Sequence, residues 1–462
     1  MTLWKSTLFP CLLVYVWLGT VNPLSVSLAA DVALQVQATP ATQAPPQGKL
    51  LTIEDAVRIG LENHPRIRAA RERIGSQEAI LGQQMSAYYP TINFNNSYRT
   101  TNSSGTSGTS SSATDTYTSQ ANLNLTLYNF VKREGTVQAA RETVDATRED
   151  FSTTTQDIVL SVKQAYYTYL GTQALVRVRQ DTVRNRELLV RQAQGFYEVG
   201  TRARIDVARA EANLYTARAD LIATENAVKI AWVTLRNAMG SPRLPEQPVA
   251  QDSPEVELTM NLAAARTIAF DNRTELRSFE AQRRASDQLI ATARRGHLPD
   301  IVFDAFYGRR NTSGGGESTF PLQPAWQAQL SLNIPIFDGF RTTNRVEETL
   351  HNYYNIRAQE EERRQQIALE VEQSYLRVVE TQERITANES AARAAKENLD
   401  LAQGRYQVGV GSIIEVTDAE TLYTDAQTNY VRTLYEYRIA DAQLARAMGD
   451  ERVGVLKPGS IR

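Results

Sequence analysis

Few residues of this chain are spaced for bond-making chemistry. The three histidines, His64, His297 and His351, are scattered. None has the paired spacing of a metal site, so neither a metal nor another cofactor is expected. Gly314, Gly315 and Gly316 fall between two strand-like stretches with no helix behind them, which suits a loop tip and not a phosphate loop. The one cysteine, Cys11, lies in an apolar run near the start. Thiol and disulfide chemistry are therefore not expected once that run is removed. What remains is charge and punctuation. Glu415 and Asp418 stand three apart, on one face of a helix; unaided, they read equally as two solvated acids at the positive start of that helix. Arg202, Arg204 and Asp206 form a second charged cluster, and Val199-Gly200 and Val408-Gly409 interrupt long periodic stretches. No enzyme is expected from such a set.

Composition narrows the class further. The net charge of −2, with 42% apolar and 22% charged residues, allows a large interior and gives no electrostatic reason to expect a nucleic-acid partner. Lys5, the apolar run Leu8 to Leu18 and Ser27-Leu28-Ala29 read as a secretory signal over residues 1–29. Residues 30–50, rich in Gln, Ala and Pro, read as a disordered leader. Past the signal no run of about 18 uninterrupted apolar residues occurs, which excludes a conventional membrane-spanning helix and leaves a β-barrel open.

The elements that position these residues come in duplicate. A shift of 209 lays Gly195-Phe196-Tyr197-Glu198-Val199-Gly200 on Gly404-Arg405-Tyr406-Gln407-Val408-Gly409, and 16 of the 46 pairs up to Gly240 and Gly449 are identical. The same shift lays Pro90 on Pro299, and a two-residue slip puts Leu51-Thr52 on Leu258-Thr259. Duplication of one unit follows. The first repeat is expected over 51–240 and the second over 258–449. A proline-rich linker at 241–257 separates them, and a tail covers 450–462.

Within each repeat the hydrophobic period switches. Thr52 to about Tyr88 reads as helix with Thr52 as N-cap. A strand pair follows over 90–129, where Ile92, Phe94 and Tyr98, then Ala121, Leu123, Leu125 and Leu127, alternate with polar residues. The second half repeats it over 299–337, with Ile301, Phe303, Ala305 and Tyr307, then Trp326 through Ile334 and Ile336. Aromatics (Tyr88, Tyr89, Tyr128, Phe130, Phe337, Phe340) gather at the strand ends, as in the girdles of membrane strands. Strands with one apolar and one wet face fit lipid outside and water inside. Four such strands cannot close a barrel, and open edges are not tolerated in hydrocarbon, so the chain is expected to oligomerise.

Helical hairpins complete each repeat, over 131–240 and 340–449. Val137, Val144, Phe151, Ile158 and Ala165 recur every seven residues, as do Val162 to Tyr197 and Val371 to Tyr406. Sevens sustained this far specify coiled-coil packing. At 1.5 Å per residue the first long helix spans about 100 Å, several times a bilayer core. The fold class is mainly α with transmembrane β, and a conduit suits this plan better than an enzyme. The competing reading is a periplasmic coiled-coil scaffold or adaptor without a barrel, which leaves the four amphipathic strands unexplained.

The export signal, the duplicated helix-strand-strand-helix plan, the Val-Gly tips and the step Ile336-Phe337-Asp338-Gly339-Phe340 together resemble the TolC-type outer-membrane efflux proteins. The resemblance covers residues 51 to 450. It implies a homotrimer whose 12-stranded barrel in outer-membrane lipid is continuous with a helical tunnel through the periplasm. It also implies a periplasmic membrane-fusion adaptor and an inner-membrane pump or ABC exporter, in tripartite efflux or type I secretion. By the same resemblance Val199, Gly200 and Thr201, and Val408, Gly409 and Val410, are the adaptor-docking tips, with Thr201 in place of an apolar residue. Asp206 and Tyr406 correspond to the periplasmic gate, but the family's arginine falls on Gly411. Arg202 and Arg204 stand near Asp206 as candidate substitutes, and a looser closure than the family norm is expected. Glu415 and Asp418 match lumen acids that would form a cation-attracting ring of six carboxylates in three copies.

Overall fold

In the computed structural model, which describes residues 50–103, 112–250, 260–314 and 322–449, the first helical stretch is broken in two. Helix α1 is Ile53–Asn63 and α2 is Pro65–Met85. The expectation of one continuous helix to Tyr88 fails at His64, whose extended ψ of 127° precedes a proline, because the proline ring disfavours helical geometry in the residue before it. His64 instead caps α2, its Nδ1 accepting from Arg66 N at 3.1 Å. Thr52 does cap α1, accepting from Asp55 N. The expected signal peptide, the leader up to residue 49, the linker residues 251–257, Gly315 and Gly316, and the tail 450–462 lie outside the described residues.

The second half keeps the 209-residue offset from its first helix onward. It opens with α5, Leu262–Asn272, and α6, Thr274–Arg294. The N-cap matching Thr52 is Asn261, accepting from Ala264 N at 2.8 Å. The two-residue slip onto Leu258-Thr259 is therefore not needed to align the helices. The break between α5 and α6 has no proline. Arg273 is extended there and fully buried, fixed by Glu275 (2.9 Å), Glu370 (2.6 Å) and the Ala447 carbonyl (3.1 Å).

Four strands form one antiparallel sheet in the order β1, β2, β3, β4: Thr91–Ser103, Ser112–Tyr128, Asp300–Gly314 and Gln323–Asn333. The register aligns Phe94, Ala121, Tyr307 and Trp326 across all four strands, with Ile92, Leu123, Ala305 and Ala328 two residues away. The opposite face is wet, with Asn124 donating to Asp304 at 2.6 Å and Gln327 to Gln329 at 2.9 Å. Strand β4 ends at Asn333, short of the expected Ile334 and Ile336. Pro335 stands two residues beyond, and a proline offers no N–H to a ladder.

A left-handed elbow joins sheet to helix in both halves. Phe130 and Val131 in the first, Gly339 and Phe340 in the second, all have φ between 54° and 66°. Such values cost non-glycine residues about 1–2 kcal/mol each. The turns then start the longest elements, α3 (Lys132–Glu198) and α7 (Arg341–Gln407), 67 residues apiece. These fold back as α4 (Arg204–Ala238) and α8 (Ile413–Ala447). α3 packs against α4, α6, α2 and α8, which makes it the spine of the molecule. Val137, Val144, Ile158, Val371 and Val378 are buried as the sevens require.

Candidate functional site at the helical tips

Each hairpin turns on a glycine. Gly200 and Gly409 have φ of +73° and +85°, the left-handed region that glycine occupies without steric cost. Matching hydrogen bonds close the two turns: Thr201 N to Phe196 O, and Val410 N to Arg405 O. A Cβ on either glycine would meet open space, so backbone geometry and not crowding selects the residue. Val199, Thr201, Val408 and Val410 project into solvent around them. Exposed valines at a tip bury nothing within the chain.

Arg202 joins the two tips. Its Nη2 donates to the carbonyls of Gly411 at 2.6 Å and Gly409 at 3.0 Å, and its guanidinium carbon lies 5.5 Å from the centre of the Tyr406 ring. Phe196 meets the same ring edge-on at 5.5 Å. Tyr406 is thereby fully buried, whereas Tyr197, its counterpart in the first half, is 46% exposed. The Tyr406 hydroxyl finds no hydrogen-bond partner. Its pKa is raised by burial and then by Asp206, against a lowering by Arg202. The structure thus brings together Tyr406, Asp206, Arg202, Gly409 and Gly411. Arg204 stands exposed at the start of α4, with no ion pair among the described residues.

An arginine at 411 would strain this turn. A Cβ there would lie 2.9 Å from Tyr406 N and 3.0 Å from the Arg405 carbonyl carbon, so the backbone itself would have to shift. Glu415 and Asp418 are exposed on α8. Ser412 caps that helix by accepting from Glu415 N, and Glu415 pairs with Arg405 at 3.4 Å. Both partners are open to water, so the pair contributes little.

Two charged residues nearby escaped the sequence reading. Arg186 of α3 and Glu420 of α8 pair at 2.9 Å with side chains only 8% and 2% exposed. The signal was present: Arg186 sits between Val183 and Val190, and Glu420 follows Ala419, inside the apolar repeat. At the other end of the molecule the sheet leaves its apolar face bare, with Phe94 73% and Trp326 74% exposed. Contiguous apolar surface of this kind marks contact with lipid or another protein. Among the described residues no helix is apolar enough to cross a membrane.

A model of the outer membrane efflux protein family matches residues 57–241 and again 266–450. The chain belongs to the outer membrane efflux protein family. The two matched blocks are themselves 209 residues apart, so the family's unit is the repeat seen here. Outer membrane protein TolC of Salmonella enteritidis is 26% identical over 369 residues, covering 77% of this chain and 72% of that protein. Protein CyaE of Bordetella pertussis is 26% identical over 453 residues, covering 92% and 90%. The fold is that of solved channels: CusC superposes with a TM-score of 0.74 at 19% identity, over 86% of this chain and 92% of that one. The Campylobacter jejuni CmeC outer membrane channel gives 0.73 at 15%, over 88% and 86%. As a member of this family of transport proteins, the chain is an outer-membrane channel for efflux or secretion, its helices reaching into the periplasm.

Proposed function

We propose that three copies of the chain assemble into one passive exit duct. Four strands from each copy make a 12-stranded barrel, continuous with a tunnel built from the helical hairpins. The observation that carries this reading is the sheet itself: a bare apolar face bounded by β1 and β4, each paired on one side only. Both defects vanish when β4 of one copy pairs with β1 of the next in lipid. A periplasmic scaffold would leave Phe94, Tyr307 and Trp326 in water. Purified protein should therefore require detergent and migrate as a heat-modifiable trimer; a soluble periplasmic monomer would refute the assembly.

At the far end, the tips around Gly200 and Gly409 dock a periplasmic membrane-fusion adaptor, which couples the duct to an inner-membrane pump or ABC exporter. Their exposed valines support this role, since apolar side chains at a tip are available to a partner. Arg202 serves as the gate's arginine, delivered from the opposite hairpin to position 411. Its hold on the Gly409 and Gly411 carbonyls supports a firm closure of the mouth in place of the looser one expected from the glycine at 411. Glu415 and Asp418, free of burial on one face of α8, supply the carboxylates of a cation-selecting ring.

A further inference from the structure

The pair formed by Arg186 and Glu420 has no place in the assembly just described, yet it is the most deeply buried charge contact near the mouth. Arg186 Nε lies 2.9 Å from Glu420 Oε2, and Arg186 Nη2 donates to Thr421 at 3.2 Å. A second bond, between the Thr182 and Thr424 hydroxyls at 3.2 Å, lies one turn away on both helices. These contacts tie α3 of the first hairpin to α8 of the second, within two turns of Asp418. Apolar side chains surround them, Val183 and Val190 on α3 and Val416 and Ala419 on α8. The pair is also incompletely satisfied: Glu420 Oε1 and Arg186 Nη1 are buried without partners.

We propose that Arg186 and Glu420 are positioning residues of the periplasmic mouth, and that a proton on Glu420 decides how firmly the two hairpins of a protomer close. This rests on the reading of the tips as a gate. Burying a carboxylate costs several kcal/mol, which a single arginine repays only with good geometry and full hydrogen bonding. Here neither partner is fully hydrogen-bonded. Separation of the hairpins would admit water to the pair and favour the charged acid, whereas close packing favours the neutral one.

The charges at this level leave Glu420 to Arg186. On α3 and α4, Glu187 pairs with Arg218 at 2.7 Å, and Asp181 pairs with Arg184. On α7, Lys396 pairs with Asp400 at 2.9 Å and faces the Tyr423 ring of α8; Arg405 pairs with Glu415. Asp418 points to solvent. Burial outweighs Arg186 and pushes the Glu420 carboxyl up to about 7, from 4.5 in water. The closed packing therefore binds the proton more tightly than an opened, hydrated one. Closure is favoured at low pH and is weakened as pH rises through about 7. Between 4.5 and about 7 the closed-to-open ratio of each protomer changes by at most about tenfold per pH unit.

The test uses spin labels on the full-length trimer at Glu198→Cys and Gln407→Cys, equivalent exposed positions beside the two tips. Inter-label distances are measured from pH 5.5 to 8.5, alongside single-channel open probability. The distance distribution should widen and opening should increase as pH rises. Glu420→Gln should hold the tips close at every pH, and Arg186→Met should move the midpoint upward by removing the attraction that opposes protonation. A distance distribution indifferent to pH, or one that shifts equally in Glu420→Gln, overturns the proposal. Tips that loosen with pH in a protein that conducts no ions would uphold the device and overturn the duct.

Discussion

Arg202 and Gly411 hold equivalent places in the two halves, 209 residues apart, and the guanidinium of the first lies 2.6 Å from the carbonyl oxygen of the second. The repeat thus supplies from one hairpin the cation that the other lacks. Two charge-assisted hydrogen bonds to backbone carbonyls hold the tips together, each contributing about 1.5–3 kcal/mol. Arg202→Ala should raise the resting open-to-closed ratio at least roughly tenfold while trimers persist. Planar-bilayer recording reads the change; an unaltered closed level would remove Arg202 from the gate.

Gly411→Arg separates position from geometry. An arginine at 411 should loosen the mouth, because the new Cβ meets the backbone of Arg405 and Tyr406 at about 3 Å and displaces the carbonyls that Arg202 holds. Conductance at rest should rise as in Arg202→Ala. A tighter channel would show that the turn can adapt.

Gly200 and Gly409 need left-handed backbone, and their surroundings are open. Leucine at either should strain the turn by about 1–2 kcal/mol and misplace the flanking valines. Export measured in cells should fall sharply while trimers extracted in detergent remain intact. Normal export with a deformed tip would contradict adaptor docking there.

Replacing the two acids proposed to line the lumen, Glu415→Ala with Asp418→Ala, should abolish cation preference and block by multivalent cations. Reversal potentials across a salt gradient report it. Ion preference equal to that of the parent would place the selecting charges elsewhere, for instance among Asp304 and Asp300 of the sheet.

Glu275 predicts acid behaviour. Burial would raise its pKa, but Arg446 and Arg273 prevail and hold it at about 2, against 4.5 when exposed. Its contribution, about 3 kcal/mol, is present above pH 4.5 and is lost as pH falls toward 2. Glu275→Gln leaves Arg273, Arg363 and Arg446 without the carboxylate they share and should cost about 3–5 kcal/mol. Thermal unfolding followed by helical circular dichroism at pH 7 measures this loss; in the parent it should emerge only below about pH 4. A variant melting with the parent at pH 7 would show that the arginines are satisfied otherwise.

Periodicity carried most of the architecture. Sevens such as Val137, Val144 and Phe151 and alternations such as Ile92, Phe94 and Tyr98 depend on which face of one element is apolar, and that is written locally. The break at His64 and the end of β4 at Asn333 were misjudged where a proline overrode the pattern. Arg273, which bends α5 into α6 without a proline, was not legible, because its partners Glu370 and Ala447 are about 100 and 174 residues away. Arg202 was visible only as a neighbour of Asp206; its reach to Gly411 needs the two hairpins side by side. Glu420 could have been found as an acid in an apolar register, and its partner Arg186 by the same rule.

In the proposed duct the open edges β1 and β4 meet between copies and close after three. Cysteine pairs test it directly, with Asn93→Cys on β1 combined in turn with Gln327→Cys, Gln329→Cys and Ser331→Cys on β4. Oxidation in outer membranes should give, for the combination in register, a band ladder on denaturing gels that ends at a covalent trimer. A ladder ending at dimers would mean an eight-stranded barrel, and monomers at every combination would mean that the sheet edges do not meet at all.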